Sequence, residues 1–441
     1  MITRIEAHNY RCFHNLAVDV DGFQVLAGAN GAGKTTFLDI PSLLGDLLSS
    51  RGRISEAFLK RRTDQSAPRA HTISEVFHQG RGSALSFAIE AELPEIVTKT
   101  LADRSTASTV GQIPSHLRYE LGLELFDREL QVSQEYLFLF SAGARRPEAG
   151  VPFQGEPRSG GKYSLAARTW ESVLSRKRGE PARFNVETTS RGSKIPELRV
   201  PPGQLALGTI LSDPGLFPAS LWFSELLSEG VVFLEPDWER LRQAAPPGDP
   251  ARLLPSYRNL PWLAFDLKKE DERNQDEDAP KRFEFWIDHV KAALPQVRSI
   301  DVIEREEDHH AYFEVCYTGG YTVTSSGLSE GTLRIMALGL LPYLPKSALP
   351  RLLVVEEPEN GIYPRAIQTA VESLDSLHDA QVWLSTHSPI VLANTELSDV
   401  LISRLGKDGA VEVIPGDEHP QLRGWRGGLD TGSLFATGVL S

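Results

Sequence analysis

Apolar and polar residues alternate from the start of the chain. Ile2, Ile5 and the segment 16–20 follow a period of two with a turn between them, which predicts two half-buried strands. A more apolar strand, Phe23-Gln24-Val25-Leu26-Ala27, runs into a glycine-rich loop and then a helix that carries Phe37, Leu38 and Ile40 inward. Alternation returns at 84–93, 117–125 and 130–140, the pattern of an antiparallel sheet. From about 142 to 280 the chain is rich in Pro and Gly, with helical stretches at Phe217–Leu227 and Trp238–Ala244. The charged run from Lys268 to Asp278 reads as a solvated loop, and Phe283, Trp286, Ile287, Val290 and Leu294 then recur at the spacing of a core-facing helix. The last third predicts strands at 301–304, 312–317, 351–356 and 381–385, with an apolar helix from Ser329 to Leu341. No heptad pattern persists, so long coiled-coil arms are not expected, and no internal repeat is visible.

Composition narrows the class. The chain has 441 residues, 41% hydrophobic and 24% charged, enough for one large α/β domain with insertions or for two domains. No apolar run approaches the roughly 20 residues of a membrane helix, and the first residues lack the pattern of a secretion signal. Two cysteines, Cys12 and Cys316, supply neither a disulfide framework nor a metal set. A cytoplasmic protein with no membrane contact is the expectation. Net charge is −13, which opposes a surface that is basic all over. Two local basic stretches remain candidates for a nucleic-acid contact: Arg51, Arg53, Lys60, Arg61, Arg62 and Arg69, then Arg158, Lys162, Arg168, Arg176, Lys177, Arg178 and Arg183. Solvated loops and helix faces are the plainer reading and weigh somewhat more.

Gly28-Ala29-Asn30-Gly31-Ala32-Gly33-Lys34-Thr35-Thr36 fits G-x-x-x-x-G-K-[ST] between a strand and a helix. Glycines let the backbone N–H groups turn toward phosphates, Lys34 reaches the β- and γ-phosphates, and the Thr35 hydroxyl suits Mg²⁺. Leu352-Leu353-Val354-Val355-Glu356-Glu357 is an apolar strand ending in two acids. Glu356 is the candidate for the Mg²⁺ shell, and Glu357 for orienting or deprotonating the attacking water. Two adjacent acids are also ordinary surface charge, and the phosphate loop tips the balance.

Two further elements gain meaning from a family likeness. Leu328-Ser329-Glu330-Gly331-Thr332 opens the apolar helix, and Ser385-Thr386-His387-Ser388-Pro389 follows a strand some 30 residues past the acidic pair. With these, with the opening Ile5-Glu6-Ala7-His8-Asn9-Tyr10-Arg11-Cys12-Phe13 and with Glu356-Glu357-Pro358-Glu359-Asn360-Gly361-Ile362-Tyr363-Pro364, the chain resembles the RecF/OLD/SMC-like branch of ABC-type ATPases. The likeness covers residues 1–95 and 295–395 well, and the middle and residues 396–441 poorly. Glu330 departs from the commonest signature, L-S-G-G-Q, toward the form of that branch.

The resemblance implies an α/β ABC head, with a mixed sheet, phosphate loop and signature helix, carrying a central helical and mixed insertion. It divides the chain into an N-terminal lobe at 1–95, a sheet extension and insertion at 96–294, a C-terminal lobe at 295–395 and a cap at 396–441. ATP and Mg²⁺ are the implied cofactors, held by Asn30, Gly31, Ala32, Gly33, Lys34, Thr35 and Thr36. Ser329 and Gly331 contact the γ-phosphate on a second copy, so a homodimer or higher homo-oligomer is implied. His387 takes the switch-histidine role beside the catalytic Glu357, and Thr35 and Glu356 are the metal ligands. Gln79, Gln134 and Gln154 all remain candidates for the glutamine this class places near the metal. Some relatives carry a C-terminal TOPRIM nuclease; too little chain follows His387 for one to be expected here. Three roles fit: a regulatory ATPase working with a separately encoded effector in an anti-phage or mobile-element module, a RecF-like DNA-repair ATPase, or the ATPase subunit of a permease. The N-terminal pattern and the Glu-Pro-Glu-Asn-Gly run disfavour the third.

Overall fold

The computed structural model describes residues 1–50, 53–61, 67–104, 113–142, 170–188, 197–210, 212–274, 281–422 and 430–439. Chain contacts divide the protein into two compact units. The first comprises Met1–Asp21, Gly31–Val231 and Ser403–Ile414; the second comprises Gly22–Asn30, Val232–Ile402 and Pro415–Ser441.

Strands are numbered along the chain. In the first unit β1 (Ile2–Tyr10), β2 (Phe13–Asp19), β4 (Ala84–Glu92), β5 (His116–Phe126), β6 (Glu129–Phe140), β7 (Trp170–Lys177) and β8 (Arg183–Phe184) form one antiparallel sheet in the order β2-β1-β4-β5-β6-β7-β8. The alternation at 84–93, 117–125 and 130–140 is thus realised as three neighbouring strands. One expectation fails here. The polar positions of β1 do not face water: Arg4, Glu6 and His8 are all buried. Glu6 is met from far along the chain, because Arg118 on β5 donates to it at 2.8 Å, as well as to Glu90 at 2.9 Å and to Glu120 on its own strand at 2.6 Å, while Arg4 pairs with Glu6 and Asp19. A charge taken out of water needs such partners, and sequence period alone does not reveal them.

A partly buried carboxylate organises the edge of this unit. Glu187 accepts hydrogen bonds from the backbone N–H groups of Ala219 and Ser220, at 2.7 and 3.0 Å, at the start of the helix Pro218–Ser228. Burial pushes its pKa up to about 7, against the pull of the donors. A folded-state value above the unfolded one means that the native protein holds the extra proton. Stability is therefore greatest below pH 4.5 for this group and falls as pH rises through about 7. The span amounts to at most about 3 kcal/mol. Glu187→Gln keeps an acceptor but cannot ionise, so its urea midpoint should lose that part of the slope across this window. An unchanged slope would assign the pH dependence elsewhere.

The second unit is built on parallel strands. β3 (Phe23–Ala27), β13 (Leu352–Glu356), β14 (Gln381–Thr386) and β15 (Val400–Leu405) lie in the order β15-β3-β14-β13, every neighbouring pair parallel, and β9 (Val231–Phe233) flanks β13. A separate antiparallel sheet, β10 (Val297–Glu304), β11 (Ala311–Tyr317) and β12 (Thr322–Thr324), stands beside helices Leu260–Arg273 and Arg282–Ala293. The last of these buries Phe283, Trp286 and Val290, at roughly 1.5–3 kcal/mol for each fully buried large apolar side chain. The charged run is only partly a loop. Lys268 to Arg273 continue the helix Leu260–Arg273, anchored by buried Leu260, Leu263, Ala264 and Leu267, while 275–278 lie outside the described residues. The final strand, β16 (Val411–Pro415), closes a hairpin with the end of β15, in which Gly406 N–H donates to Ala410 C=O at 2.7 Å.

Candidate active site

The parallel order of β3, β14 and β13 sends three loops out of one end of the sheet. Their register aligns Ala27 with Thr386, and Ser385 with both Leu26 and Glu356. The start of the phosphate loop at Gly28, the acid pair at Glu356 and the histidine loop at Thr386 therefore emerge side by side. Ligands of open parallel sheets bind beyond such carboxyl ends.

After Asn30 the loop passes into the first unit. Gly31 and Gly33 adopt φ values of 80° and 79°, the left-handed region where a side chain is strained. Gly33 is constrained twice, since a Cβ there would come within 2.7 Å of the Cys12 sulfur. The helix Lys34–Leu38 starts directly from Gly33, with Lys34 buried and Thr35 exposed. It runs through Asp39 into Ile40–Ser49, where Pro41 lacks the N–H that would continue the helical bonding. Ala32 and Thr36 are both buried. Two groups that sequence reasoning missed steady this turn: the Ser403 hydroxyl donates to the Ala32 carbonyl, and Val411 N–H donates to the Cys12 carbonyl at 2.9 Å. Both come from the far end of the chain, and no local pattern announces them.

The acid pair has a defined geometry. Glu357 takes φ 44°, a left-handed conformation that is uncommon outside glycine, and its N–H donates to the Ser385 carbonyl at 2.9 Å. One carboxylate oxygen lies 3.0 Å from His387 Nδ1; the other accepts from Asn360 Nδ2 at 2.6 Å. A carboxylate only accepts, so Nδ1 carries the hydrogen and Nε2 is the ring's second face. His387 and Glu357 are partly exposed, at 46% and 29% of their side chains, which leaves both within reach of a ligand. Each carboxylate oxygen keeps an acceptor position beyond the bond it makes.

Ser329 is exposed and caps the helix Glu330–Leu340, its Oγ accepting from Thr332 N–H at 3.2 Å. Glu330, the departure from the commonest signature, pairs with Arg334 at 2.8 Å, and Arg334 lies over the Trp238 ring at 4.7 Å. Gly331 sits against the loop after the acids: a Cβ there would stand 2.5 Å from the Gly361 carbonyl oxygen. Gly331→Ala should therefore push two backbones apart and cost about 1–3 kcal/mol in chemical denaturation. Wild-type stability would show that this contact yields without strain.

The basic stretches prove less available than their sequence implies. Arg69 is held by Asp39 and by Asp46, the latter at 2.7 Å. Arg176 is buried and donates to the carbonyls of Gln204, Val200 and Pro201 at 2.7–2.9 Å. Lys60 pairs with Glu56 at 2.8 Å, Arg178 with Glu124 at 2.5 Å and Arg183 with Glu197 at 3.0 Å. Arg51, Arg62, Arg158, Lys162 and Arg168 lie outside the described residues. Of the candidate glutamines, Gln79 sits in a left-handed turn at φ 53° and Gln134 in β6, while Gln154 is outside the described residues.

Residues 204–393 match the family described as AAA domain, putative AbiEii toxin, Type IV TA system. The chain is an ATPase, and over these residues it is similar to that AAA domain. The match takes in Ser329, Glu356, Glu357 and His387 and leaves out the phosphate loop at 28–36, which the ATPase motif supplies independently. No curated protein matches the sequence. Among solved structures the ATPase is similar to an Smc head bound to the C-winged-helix domain of ScpA, at 13% identity and TM-score 0.48, over 94% of this chain and 96% of that one. It is also similar to the Smc head with an extended coiled coil bound to the C-terminal domain of ScpA from Pyrococcus furiosus, at 12% identity and TM-score 0.45, over 94% and 95%. The SMC head domain from Thermotoga maritima matches at 10% identity and TM-score 0.38, over 94% and 98%.

Among the described residues no helix is long and apolar enough to cross a membrane. Nor does any group of three or more His, Cys, Asp or Glu there form a metal site by itself. A Mg²⁺ ion serving a nucleotide needs only one or two protein oxygens, the rest coming from phosphate and water, and the Glu356 carboxylate at the end of β13 is a donor of that kind.

Proposed function

We propose that this ATPase is a cytoplasmic switch that binds ATP with Mg²⁺ between two copies of its head and regulates a separately encoded effector in an anti-phage or mobile-element module. The observation that carries the shared site is Ser329. It stands exposed at the positive end of an 11-residue helix, with Gly331 packed on the loop that follows the catalytic acid. A helix end with an exposed hydroxyl is suited to an incoming phosphate, and the likeness to the ABC class makes that the γ-phosphate of a second copy. Bound Mg²⁺, held by Thr35 and Glu356, would neutralise charge on the phosphates. Lys34 and the amides of Asn30 to Thr36 hold the nucleotide, Glu357 accepts the proton of the attacking water, and His387 marks whether the γ-phosphate is present. Loss of that phosphate removes a contact made by both copies and opens them. The toxin–antitoxin description of the matched family supports the defence setting.

The test is the mass in solution by light scattering, with a non-hydrolysable ATP analogue and Mg²⁺. The wild-type protein should double in mass or grow further, and Ser329→Arg should not respond. A wild-type mass indifferent to nucleotide would remove the shared site. A RecF-like DNA-binding role is the alternative, and it needs basic surface that Arg69 and Arg176 do not provide. DNA retention that weakens steeply with salt would favour that alternative.

A further inference from the structure

Glu359 has no step assigned to it, yet it is the most enclosed of the three acids Glu356, Glu357 and Glu359. The residue is 8% exposed, and one carboxylate oxygen accepts from the Thr386 hydroxyl at 2.6 Å. The other oxygen is buried without a hydrogen-bond partner among the described residues. Thr386 is fully buried, and its hydroxyl oxygen in turn accepts from Ser388 N–H at 2.9 Å. The Thr386 hydroxyl thus clasps the chain on both sides of His387 and ties that turn to the acid loop. Ser388 then caps the helix Pro389–Ala393, its Oγ accepting from Ile390 N–H at 3.3 Å.

The same two loops meet at the working end. Glu357 N–H reaches across to Ser385 C=O at 2.9 Å, and Glu357 Oε1 lies 3.0 Å from His387 Nδ1. Glu357 keeps a left-handed φ of 44° there, a conformation that persists only where its surroundings over-determine it. Glu359 is well placed to do this. It lies two residues past Glu357 and is fastened to the residue before His387. A solvated acid would show none of these features: it would be exposed, and its neighbours would bond to water.

We propose that Glu359 is a positioning residue, which through the Thr386 hydroxyl sets the turn that presents His387 to Glu357. The proposal rests on Glu357 and His387 being the catalytic pair. It predicts that the hydroxyl and the carboxylate act as one link. Thr386→Val keeps the shape and removes the hydroxyl; Thr386→Ser keeps the hydroxyl. Glu359→Gln keeps an acceptor, and Glu359→Ala removes it.

Steady-state ATP hydrolysis by the full chain, with ATP affinity and thermal melting measured on each variant, tests the link. Thr386→Val and Glu359→Ala should each lower kcat by about 10- to 10²-fold, the scale of a small misplacement of a catalytic group. KM should change by less than about twofold in both, because nucleotide binding is untouched. Thr386→Ser and Glu359→Gln should stay near wild type. The double variant Thr386→Val with Glu359→Ala should be no slower than the slower single variant, since both cut one link. Normal kcat in a folded Thr386→Val, multiplicative losses in the double variant, or a matching loss of ATP affinity would each overturn the proposal. Should Thr386→Val fail to fold, equal kcat in Glu359→Ala and Glu359→Gln overturns it. Glu357→Gln and His387→Ala serve as controls. Full activity in both sinks the catalytic pair itself, whereas activity lost there and kept in Thr386→Val sinks the link alone.

Discussion

Lys34→Ala will lose tight ATP binding while keeping its fold. Lys34 opens the helix that begins at Gly33, and within the loop its side chain is the one cation fitted to the β- and γ-phosphates. Hydrogen bonds to charged groups contribute roughly 1.5–3 kcal/mol each, so two such contacts are worth about 10²- to 10⁴-fold in affinity. The alanine leaves Gly31 and Gly33, with their left-handed φ, to shape the loop as before. Two readouts separate binding from folding. Calorimetry should show the affinity falling by at least about 10²-fold. Thermal melting should show that ATP no longer stabilises the variant, whereas at a hundred times Kd it adds about 2.7 kcal/mol to a protein that binds. Affinity unchanged from wild type would mean that the phosphates are not held where the loop motif places them.

The motifs were legible because each is local. A glycine-rich turn between an apolar strand and a helix, or two acids at the end of Leu352–Val355, declares its chemistry within ten residues. Strands at 84–92, 116–126 and 129–140 were legible for the same reason, since alternation is a nearest-neighbour signal. What was not legible is every feature made by residues far apart. Arg69 reads as part of a basic surface until Asp39 and Asp46 fold around it, and Arg118 reads as a solvent-facing strand residue until Glu6 and Glu90 enclose it. The run from Lys268 reads as a loop because its charges hide the apolar anchors Leu260, Leu263 and Leu267, which carry the helix on to Arg273. Within that helix, Asp271 accepts from the N–H groups of Arg282 and Phe283 at the start of the next one, at 3.2 and 2.7 Å.

The site shows the same divide at closer range. Glu357 and His387 are both visible as residue types, but the bond between them needs the parallel pairing of β13 with β14 and the left-handed turn at Glu357. Asn360 looks like one more polar loop residue and turns out to hold the second oxygen of Glu357. Ser403 shows no signal at all before the fold brings it to the Ala32 carbonyl. Chemistry was readable from the sequence; its supporting contacts were not.

Glu357→Gln should stop turnover and trap the ATP state. Glu357 is the residue after the metal-ligand candidate Glu356, and the chain turns left-handed there, which takes the second carboxylate off the line of β13. Its two oxygens already bond to His387 and Asn360, and both retain acceptor capacity for a water. Glutamine keeps the size and can still bond to Asn360 or His387 through its carbonyl oxygen, but it loses the negative charge that takes up a proton. General-base catalysis contributes about 10²- to 10⁴-fold, so kcat should fall by at least that order. ATP affinity should hold, because Lys34, Thr35 and Glu356 are unchanged. ATP that persists keeps the γ-phosphate available to Ser329 of a second copy, so the variant should accumulate as a dimer or closed assembly in light scattering with ATP and Mg²⁺. Adding Ser329→Arg should dissolve that assembly, because a bulky side chain at an exposed helix cap blocks the incoming phosphate. Turnover at the wild-type rate in Glu357→Gln would remove the base from this position. Lost turnover with a mass that ignores ATP would keep the base and discard the shared site.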